Sequence, residues 1–510
     1  MSDSGVQERL GYLKRVWAGE EPAEPSWLAQ GVAIEGDFAG IQTYVLRPVP
    51  GARGAAKRLR ARSFRVAETT KQIAESVCSE FKVLNPFYVA GGRFLTCVPF
   101  DEKWEQKLAG LQAQIDRDLF QRFGGEVAFH LAGAKFEGGT VPTEQLFEQH
   151  RRRRARPLEH VLLSEGGWRE DQFFAAAGAG WGKCPACLRT ASRFHRVEDQ
   201  EICEDCFSDT ELGTRLSHWR FDPGKGPRIG RDEVVHYFPR VGGEPASFED
   251  LVKQSAGKQW LGHLRIDADH IGRTFRALEG NPSRIWGLSQ MLHTFFCQRL
   301  QQIVERTYTS IYPVYGGGDD LYVIGPWDQV LGLAVKLSEE FRKLTADNPL
   351  AFSAGVSLSK PHQHILTKSD EAAEALRRAK DQGRNRICAL GSVTDWTEFR
   401  KILRRAGDVL RWYGAGILPD ALAGGVAPSA SRRHFRSAFL QDILQLSQAK
   451  GDVERGQWKP LLHHQFKRNV RHPDLYCEQW VESLLAGGDE WRRAPAVVRY
   501  VLLAAPRPAD

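Results

Sequence analysis

The amino-acid sequence predicts an α+β protein with two ferredoxin-like units, a zinc-ribbon insert and a C-terminal helical bundle. Three observations predict this class. A β-α-β-β-α-β order of patterns occurs twice along the chain. Two CxxC pairs lie between the two occurrences, and the last hundred or so residues show little strand pattern.

Length and composition set the frame for this prediction. A chain of 510 residues is too long for one core, and roughly three to four domains are expected. No run of about 18 apolar residues occurs, so we expect no contact with a membrane. The N-terminus lacks an apolar signal core, and the cysteines suit a reducing compartment better than a disulfide framework. We therefore expect a cytoplasmic protein.

The elements follow one another in a clear order. Residues 1–30 are polar and are expected to form an extended arm. The first unit, 31–165, has strand patterns at 32–34, 86–90, 94–98 and 126–131, with helical patterns at 66–81 and 102–122. The second unit, 226–392, repeats them with strands at 263–266, 311–315, 321–324, 351–358 and 386–390 and helices at 283–307, 327–346 and 370–381. The zinc-ribbon module is assigned to 166–225 and the helical domain to 393–510.

The basic residues are clustered. The net charge is +7, and Lys57, Arg58, Arg60, Arg62 and Arg65 crowd one segment, while 151–154 is a run of four arginines. Such clusters form either a solvated helix face or linker, or a surface that contacts a nucleic-acid backbone or a phosphate. Both interpretations stay open on the sequence alone.

The chemistry of the second unit centres on a glycine-rich turn. Gly316-Gly317-Gly318-Asp319-Asp320 lies between two strand patterns, where the glycines let a phosphate chain approach the backbone. Adjacent carboxylates repel each other unless a cation lies between them, and Mg²⁺ prefers oxygen ligands. The alternative is a plain Gly/Asp-rich hairpin turn.

A further carboxylate favours the metal interpretation. In a βαββ unit the first strand neighbours the hairpin, so Asp267 at the end of that strand is expected to face the turn, with the Ala268 carbonyl as an additional ligand. Two Mg²⁺ ions about 3.5–4 Å apart activate a hydroxyl and stabilise a leaving pyrophosphate. Lys380, at the end of a helix pattern, is expected to meet a triphosphate, although a C-terminal lysine also suits the helix dipole.

These residues together resemble the large subunit of type III CRISPR effector complexes, the Csm/Cmr class. The resemblance covers about 31–400. The matching segments are 36–42 (GDFAGIQ), 55–64 (AAKRLRARSF), 91–94 (GGRF), the four CxxC cysteines, 267–272 (DADHIG), 317–320 (GGDD), 352–356 (FSAGV) and 379–380 (AK). Their order and spacing are much more specific than GGDD alone.

The resemblance implies a fold and an activity. It implies two palm domains of the nucleotide cyclase type, a zinc module, and conversion of ATP to cyclic oligoadenylates when the complex binds target RNA. Asp267, Asp319 and Asp320 would be catalytic and hold two Mg²⁺ or Mn²⁺ ions. The nucleotide-binding residues would be Gly317, Gly318, Ser353 and Lys380 in the second palm, and Asp37, Gly91 and Gly92 in the first palm, which would hold the second ATP.

The partners implied by the resemblance are the small and backbone subunits of the complex, the subunit that binds the crRNA handle, crRNA and target RNA. The first palm has GGRF in place of an acidic pair, so we expect it to bind metal poorly. Only some 30 residues precede the first palm and the chain has no His-Asp dipeptide, so we expect no HD-type DNase activity.

The cysteine spacing predicts a structural metal site. Cys184-x-x-Cys187 and Cys203-x-x-Cys206 are separated by fifteen residues, a zinc-ribbon spacing. Four thiolates saturate Zn²⁺, so the site leaves no open position for catalysis. The competing hypothesis for the whole chain is a non-catalytic scaffold of the crRNA complex, and a stand-alone diguanylate cyclase is disfavoured by the degenerate first palm and the zinc ribbon.

Overall fold

The computed structural model describes residues 3–47, 54–163, 181–197, 199–219, 228–348, 350–413, 437–448, 457–470, 473 and 475–505. It is a mixed α and β structure with two separate larger sheets, as the sequence predicts. In these residues no helix combines the length and apolar character that crossing a bilayer requires.

The first element is helix α1 (Asp3–Ala18), so the prediction of an extended N-terminal arm is wrong for this part of the chain. Val6, Leu10, Leu13 and Trp17 recur at helical spacing and are buried. They pack on a helix of the second unit, where a Cβ on Gly287 would lie 2.6 Å from the Trp17 nitrogen. Burial of this apolar face explains why a mostly polar segment forms a helix.

The first unit is built on a four-stranded sheet in the order β2-β3-β1-β4. Its strands are β1 (Gly31–Ala39), β2 (Tyr88–Ala90), β3 (Arg93–Val98) and β4 (Ala128–Phe136). Its helices are α2 (Ile41–Leu46), α3 (Ala55–Glu80), α4 (Trp104–Phe123), α5 (Thr143–Arg154) and α6 (Glu159–Leu162). This strand order is that of a split βαβ fold.

The cysteine-containing region forms two small hairpins and a helix. These are β5 (Gly182–Lys183) with β6 (Thr190–Ala191), β7 (Phe194–Val197) with β8 (Gln200–Cys203), and α7 (Glu204–His218). A further hairpin, β9 (Arg240–Val241) with β10 (Glu244–Pro245), and helix α8 (Phe248–Val252) lead into the second unit.

The second unit repeats the first with additions. Its six-stranded sheet has the order β12-β13-β11-β14-β15-β16, and its first four strands follow the same order as the first sheet. The strands are β11 (Leu261–Ala268), β12 (Tyr312–Gly317), β13 (Asp320–Pro326), β14 (Phe352–Ser359), β15 (Arg386–Ala389) and β16 (Ser392–Asp395). The helices are α9 (Ile271–Arg276), α10 (Pro282–His293), α11 (Leu300–Arg306), α12 (Trp327–Leu344) and α13 (Ile365–Asp381). A π-helical segment, Thr294–Arg299, joins α10 to α11 where the sequence predicts one regular helix.

The described part of the C-terminal region is helical, as predicted. It contains α14 (Trp396–Trp412), α15 (Ser437–Gln448), α16 (Trp458–Asn469), α17 (Leu475–Ala486) and α18 (Gly488–Ala504). Helix α18 packs against the second unit, where Tyr500 and Trp327 make an edge-to-face contact with ring centroids 4.9 Å apart.

The basic segment at the start of α3 differs from both of its interpretations. Arg58, Arg60 and Arg62 are at most 3% exposed, so they form neither a solvated face nor a surface for nucleic acid. Arg62 pairs with buried Asp209 at 2.7 Å, and Arg60 donates to the backbone carbonyls of Val235 and Pro313 among others. Buried guanidinium groups persist when their N–H groups are bonded, and here they join the first unit to the cysteine module and to the second unit.

Candidate active site

The acidic hairpin is a tight connection between β12 and β13. Because β12 continues to Gly317 and β13 begins at Asp320, only Gly318 and Asp319 form the loop. Gly318 has φ +63°, a conformation that glycine adopts without steric cost. The turn therefore presents two consecutive carboxylates at the end of the sheet.

The end of the neighbouring strand lies directly against this hairpin. Asp267 of β11 is the register partner of Asp320 on one side and of Ser353 on the other. The Ala268 N–H donates to the Asp319 carbonyl oxygen at 2.9 Å. The structure thus brings Asp267, Ala268, Asp319 and Asp320 to one edge of the sheet.

The charges at this edge are only partly balanced. Burial, together with the adjacent Asp319 carboxylate, raises the pKa of Asp320 to about 7. Lys380, in the last turn of α13, contacts Asp267 Oδ1, and burial lowers the pKa of the Lys380 ammonium to about 8, helped by nearby Arg384. Asp320 thus has a carboxylate neighbour that opposes its ionisation, and a divalent cation bound beside the two would favour the ionised form.

The three carboxylates do not point at one common centre. Among the described residues, the one group of His, Cys, Asp or Glu ligand atoms close enough to hold a metal together is the four-cysteine cluster. Asp267 contacts Lys380. Bringing all three onto shared cations would need Asp267 to exchange its lysine partner for a metal.

One neighbour, Arg265, escaped the sequence analysis as a member of this site. Arg265 lies two residues before Asp267 and is buried; it donates to the Tyr315 hydroxyl at 2.8 Å and its charge opposes the rise in the pKa of Asp320. The period of two along a strand could have placed Arg265 on the same face as Asp267.

Asp269 lies two residues after Asp267, in the matching segment 267–272, and is a further neighbour of this site. It is 4% exposed and accepts hydrogen bonds from the Ser353 hydroxyl at 2.8 Å and from the Asn385 N–H at 2.8 Å. Ser353 itself is fully buried, and in this structure its hydroxyl donates its hydrogen bond to Asp269. The pair fixes the loop after α13, which positions Lys380.

The first unit has a different arrangement at the equivalent position. Asp37 of β1 is the register partner of Arg93, where the second unit has Asp320 opposite Asp267. Arg93 Nε donates to one oxygen of Asp37 at 2.6 Å, and Arg154 donates to the other at 2.6 Å. Burial opposes ionisation of Asp37, but the two guanidinium groups outweigh it and hold its pKa below the usual value.

The glycine turns of the two units touch. A Cβ on Gly91 would lie 3.2 Å from the Gly317 oxygen and from the Gly318 backbone, so the close approach requires glycine. The neighbouring Gly92 has φ +84°. A cavity of about 190 Å³ lies beside this contact, lined by residues of both units. They include Ile41, Val45, Phe64 and Gly92 from the first unit and Gly317 and Asp320 from the second.

The four predicted zinc ligands form a compact cluster. The Sγ atoms of Cys184, Cys187, Cys203 and Cys206 lie within 4.8 Å of one another, and all four residues are buried. Four thiols at these separations match the ligand set of a structural Zn²⁺. Arg62 approaches Cys206 Sγ at 3.8 Å, a contact that suits a negatively charged thiolate centre.

Comparison with known families agrees with this architecture. Residues 260–388 match the second palm domain of Cas10/Cmr2, and residues 32–162 match domain B of the Csm1 subunit. The first of these segments contains the acidic hairpin, and the second contains the glycine turn of the first unit.

Two curated relatives carry the name CRISPR system single-strand-specific deoxyribonuclease Cas10/Csm1 (subtype III-A). The protein of Thermococcus onnurineus is 25% identical over 433 residues, which is 70% of this chain and 55% of the relative. The protein of Mycobacterium tuberculosis is 31% identical over 438 residues, which is 69% of this chain and 53% of the relative. The chain thus spans about half the length of the curated relatives it matches.

Solved structures show the same fold. A Csm1–Csm4 cassette in complex with cA4 superposes with a TM-score of 0.67 at 20% identity, covering 93% of this chain and 70% of that chain. A Csm1–Csm4 cassette in complex with one ATP gives 0.66 at 20% identity, covering 96% and 72%.

Proposed function

We propose that this chain converts ATP to cyclic oligoadenylates when its complex binds target RNA. The comparisons confirm its resemblance to the Cas10/Csm1 large subunit of type III CRISPR complexes. A palm domain of the Cas10/Cmr2 type makes the chain a nucleotidyl-transfer enzyme in kind. The observation that carries the finer proposal is the pairing of Asp267 with Asp320 at the hairpin tip, with Asp319 beside them.

The donor set fits divalent cations. Asp267, Asp319, Asp320 and the Ala268 carbonyl supply oxygen atoms only, the ligands that Mg²⁺ and Mn²⁺ take. Burial and the neighbouring Asp319 carboxylate raise the pKa of Asp320, and a bound divalent cation would favour its ionised form. When bound, such ions would supply activation of a ribose hydroxyl and charge stabilisation of the leaving pyrophosphate.

The protein side chains would do the remaining work. Lys380, held at the edge of the site, would bind a triphosphate oxygen and release Asp267 as it does so. Gly317 and Gly318 would let phosphates approach the backbone. Asp269 with Ser353 would hold the loop that follows α13, the helix that carries Lys380 in its last turn. Gly91 and Gly92 of the first palm would form the opposite wall for the second ATP, with Asp37 holding Arg93 in place.

The four cysteines would hold a structural Zn²⁺. Their compact, buried cluster supports this assignment, and the contacts of Arg62 with Asp209 and Cys206 would attach the zinc module to α3. The partners proposed for the chain are the other subunits of a type III complex, crRNA and target RNA, because solved relatives are Csm1–Csm4 cassettes. The limits 31–165, 166–225, 226–392 and 393–510, predicted from the sequence, are proposed as the domain boundaries.

The alternative is a scaffold without catalysis. It is weakened by the burial of Arg58, Arg60 and Arg62, because these three arginines are not available to contact RNA. The exposed arginines at the end of α5, Arg151 and Arg152, pair with Glu148 of the same helix.

Product analysis tests the proposal. We expect the assembled complex, given Mg²⁺ or Mn²⁺, ATP and target RNA, to form cyclic oligoadenylates that mass spectrometry detects. The combined change Asp319→Ala and Asp320→Ala should lower synthesis by at least about 10²-fold, because the cations lose two ligands. A matched control, Asp347→Ala on the exposed surface, should keep full synthesis. Unchanged synthesis in the double variant would leave the scaffold as the better interpretation.

A further inference from the structure

A row of three large polar side chains crosses the second palm one step along the strands from its acidic edge. Arg265 of β11 and Tyr315 of β12 are both register partners of Tyr322 on the intervening strand β13. Arg265 precedes Asp267 by two residues, and in the antiparallel partner Tyr322 follows Asp320 by two. Alternate residues of a strand share a face, so this row lies on the same face of the sheet as the two carboxylates.

The row is joined by direct contacts. Nη2 of Arg265 donates to the Tyr315 hydroxyl at 2.8 Å, and the guanidinium lies 6.0 Å from the centre of the Tyr322 ring. The two tyrosine rings are 5.9 Å apart. The Tyr322 hydroxyl lies 2.8 Å from Nδ1 of His263, and Nε2 of the same ring lies 2.8 Å from Ser359 Oγ. These contacts tie together the strands β12, β13, β11 and β14.

Tyr315 is the last side chain of β12 before the glycine turn. Gly316, Gly317 and Gly318 follow it and offer no side chain that could hold the hairpin in place. The strand is also irregular here, because its register against β13 shifts between Pro313 and Tyr315. A bulge bends a strand and redirects the residues that follow it. The position of the hairpin tip therefore depends on how Tyr315 is held.

An arginine binds each side of this irregularity. Arg60 of the first palm donates to the Pro313 carbonyl at 2.8 Å, and Arg265 donates to the Tyr315 hydroxyl. Arg60 also donates to the Tyr237 carbonyl at 2.6 Å, so its replacement would disturb more than one segment. The bond from Arg265 ends on a single hydroxyl, and removing that hydroxyl leaves the aromatic ring in place.

We infer that Arg265, acting through the Tyr315 hydroxyl, is a positioning residue that holds the acidic hairpin in register with Asp267. Neither side chain supplies a carboxylate, and their part is to fix the place of those that do. Without the bond, a smaller fraction of hairpins has its carboxylates in the arrangement that binds cations, and the apparent affinity for the cation falls by that fraction. The inference rests on the proposed function, because it concerns the geometry of the same acidic site.

The Mg²⁺ dependence of oligoadenylate synthesis by the assembled complex with target RNA tests the inference. In Tyr315→Phe we expect the Mg²⁺ concentration at half-maximal rate to rise about tenfold, the factor for loss of one hydrogen bond to a charged group. Saturating Mg²⁺ should restore the rate and keep the KM for ATP within about twofold of the wild-type value. Arg265→Met should shift the Mg²⁺ dependence in the same direction, and Arg265→Lys, which keeps a charged donor, should shift it less.

Tyr237→Phe is the matched control. It removes a hydroxyl that donates to the Thr309 carbonyl at 2.7 Å, before the end of β12 that lies opposite its glycine turn. This variant should keep the Mg²⁺ dependence of the wild type.

The outcomes separate the inference from the proposed function. If Tyr315→Phe and Arg265→Met kept the wild-type Mg²⁺ dependence, the inference would be overturned while the proposed function stood. A rise of the same size in Tyr237→Phe would overturn it as well, because the effect would then be general to β12. Absence of product from the wild-type complex would remove the proposed function, and the inference with it.

Discussion

The two palm domains share one strand order and differ in what faces the aspartate at the end of their first strand. In the second palm, Asp267 pairs in register with Asp320, and the pKa of Asp320 is raised to about 7. In the first palm, Asp37 pairs with Arg93, and the pKa of Asp37 is lowered. The strand-end aspartate of the first palm is thus held by two arginines, whereas that of the second palm contacts one lysine and lies in register with another carboxylate.

This difference shows how a duplicated fold divides its work. Arg93 and Arg154 each donate to one oxygen of Asp37, so both oxygens of this carboxylate already have cationic partners. In the second palm the adjacent Asp319 and Asp320 carboxylates repel each other, as the raised pKa of Asp320 indicates. Sites of this kind are expected where charge is reserved for a ligand.

The largest expected effect comes from removing the internal cation. Arg93→Ala leaves buried Asp37 with Arg154 alone, and we expect the free energy of unfolding to fall by about 2 kcal/mol. The loss of one partner from a fully buried pair costs about 3–5 kcal/mol, and the value is smaller here because the Arg93 side chain is 53% exposed and Arg154 remains. Urea unfolding measures the change. Arg152→Ala, at an exposed position, serves as the control and should leave the free energy of unfolding unchanged. Equal stabilities of Arg93→Ala and wild type would show that the pairing of Arg93 with Asp37 does not stabilise the first palm.

The second effect concerns added metal. Mg²⁺ at ten times its dissociation constant should stabilise the wild-type chain by about 1.4 kcal/mol through mass action. Asp320→Asn should reduce this gain, because a ligand carboxylate is lost, whereas Asp37→Asn should keep it. Thermal unfolding with and without Mg²⁺ measures both, and an equal gain in Asp320→Asn and wild type would contradict the assignment of the metal to the second palm.

The smallest effect is a dependence on pH. Because the folded pKa of Asp37 lies below its unfolded value of about 3.9, its ionised form stabilises the fold above that pH, and this contribution is lost as the pH falls through the folded pKa. The stability difference between wild type and Asp37→Asn should therefore stay constant from pH 7 to about pH 4 and shrink as the pH falls further. Urea midpoints across this range measure it, and a difference that stays constant below about pH 4 would mean that the charge of Asp37 does not contribute.

The sequence supported prediction best where the signal was local. Glycine and aspartate at the hairpin are turn residues with a direct physical meaning, and the CxxC spacing carries its own geometry, so the strand order and the cysteine cluster followed from them. The face of α1 was also visible, because Val6, Leu10, Leu13 and Trp17 recur at helical spacing, but the polar composition outweighed it in the prediction of an arm.

Other features depended on partners far along the chain. The burial of Arg62 requires Asp209, 147 residues away, and the close approach of the two glycine turns brings Gly91 against the backbone of Gly317 and Gly318. A sequence without its fold does not reveal such pairings. Arg265 is intermediate, since its position two residues before Asp267 places it on the correct face without naming its neighbours.

Helix α1 has a consequence for how the protein is made. It is the first described element to leave the ribosome, yet the surface that buries it belongs to α10 and the π-helical segment, some 270 residues later. Its apolar side must stay uncovered while the whole first palm is synthesised, a delay typical of folds with distant contacts. Its docking then holds residues 3–18, which precede the first palm, against a helix of the second palm.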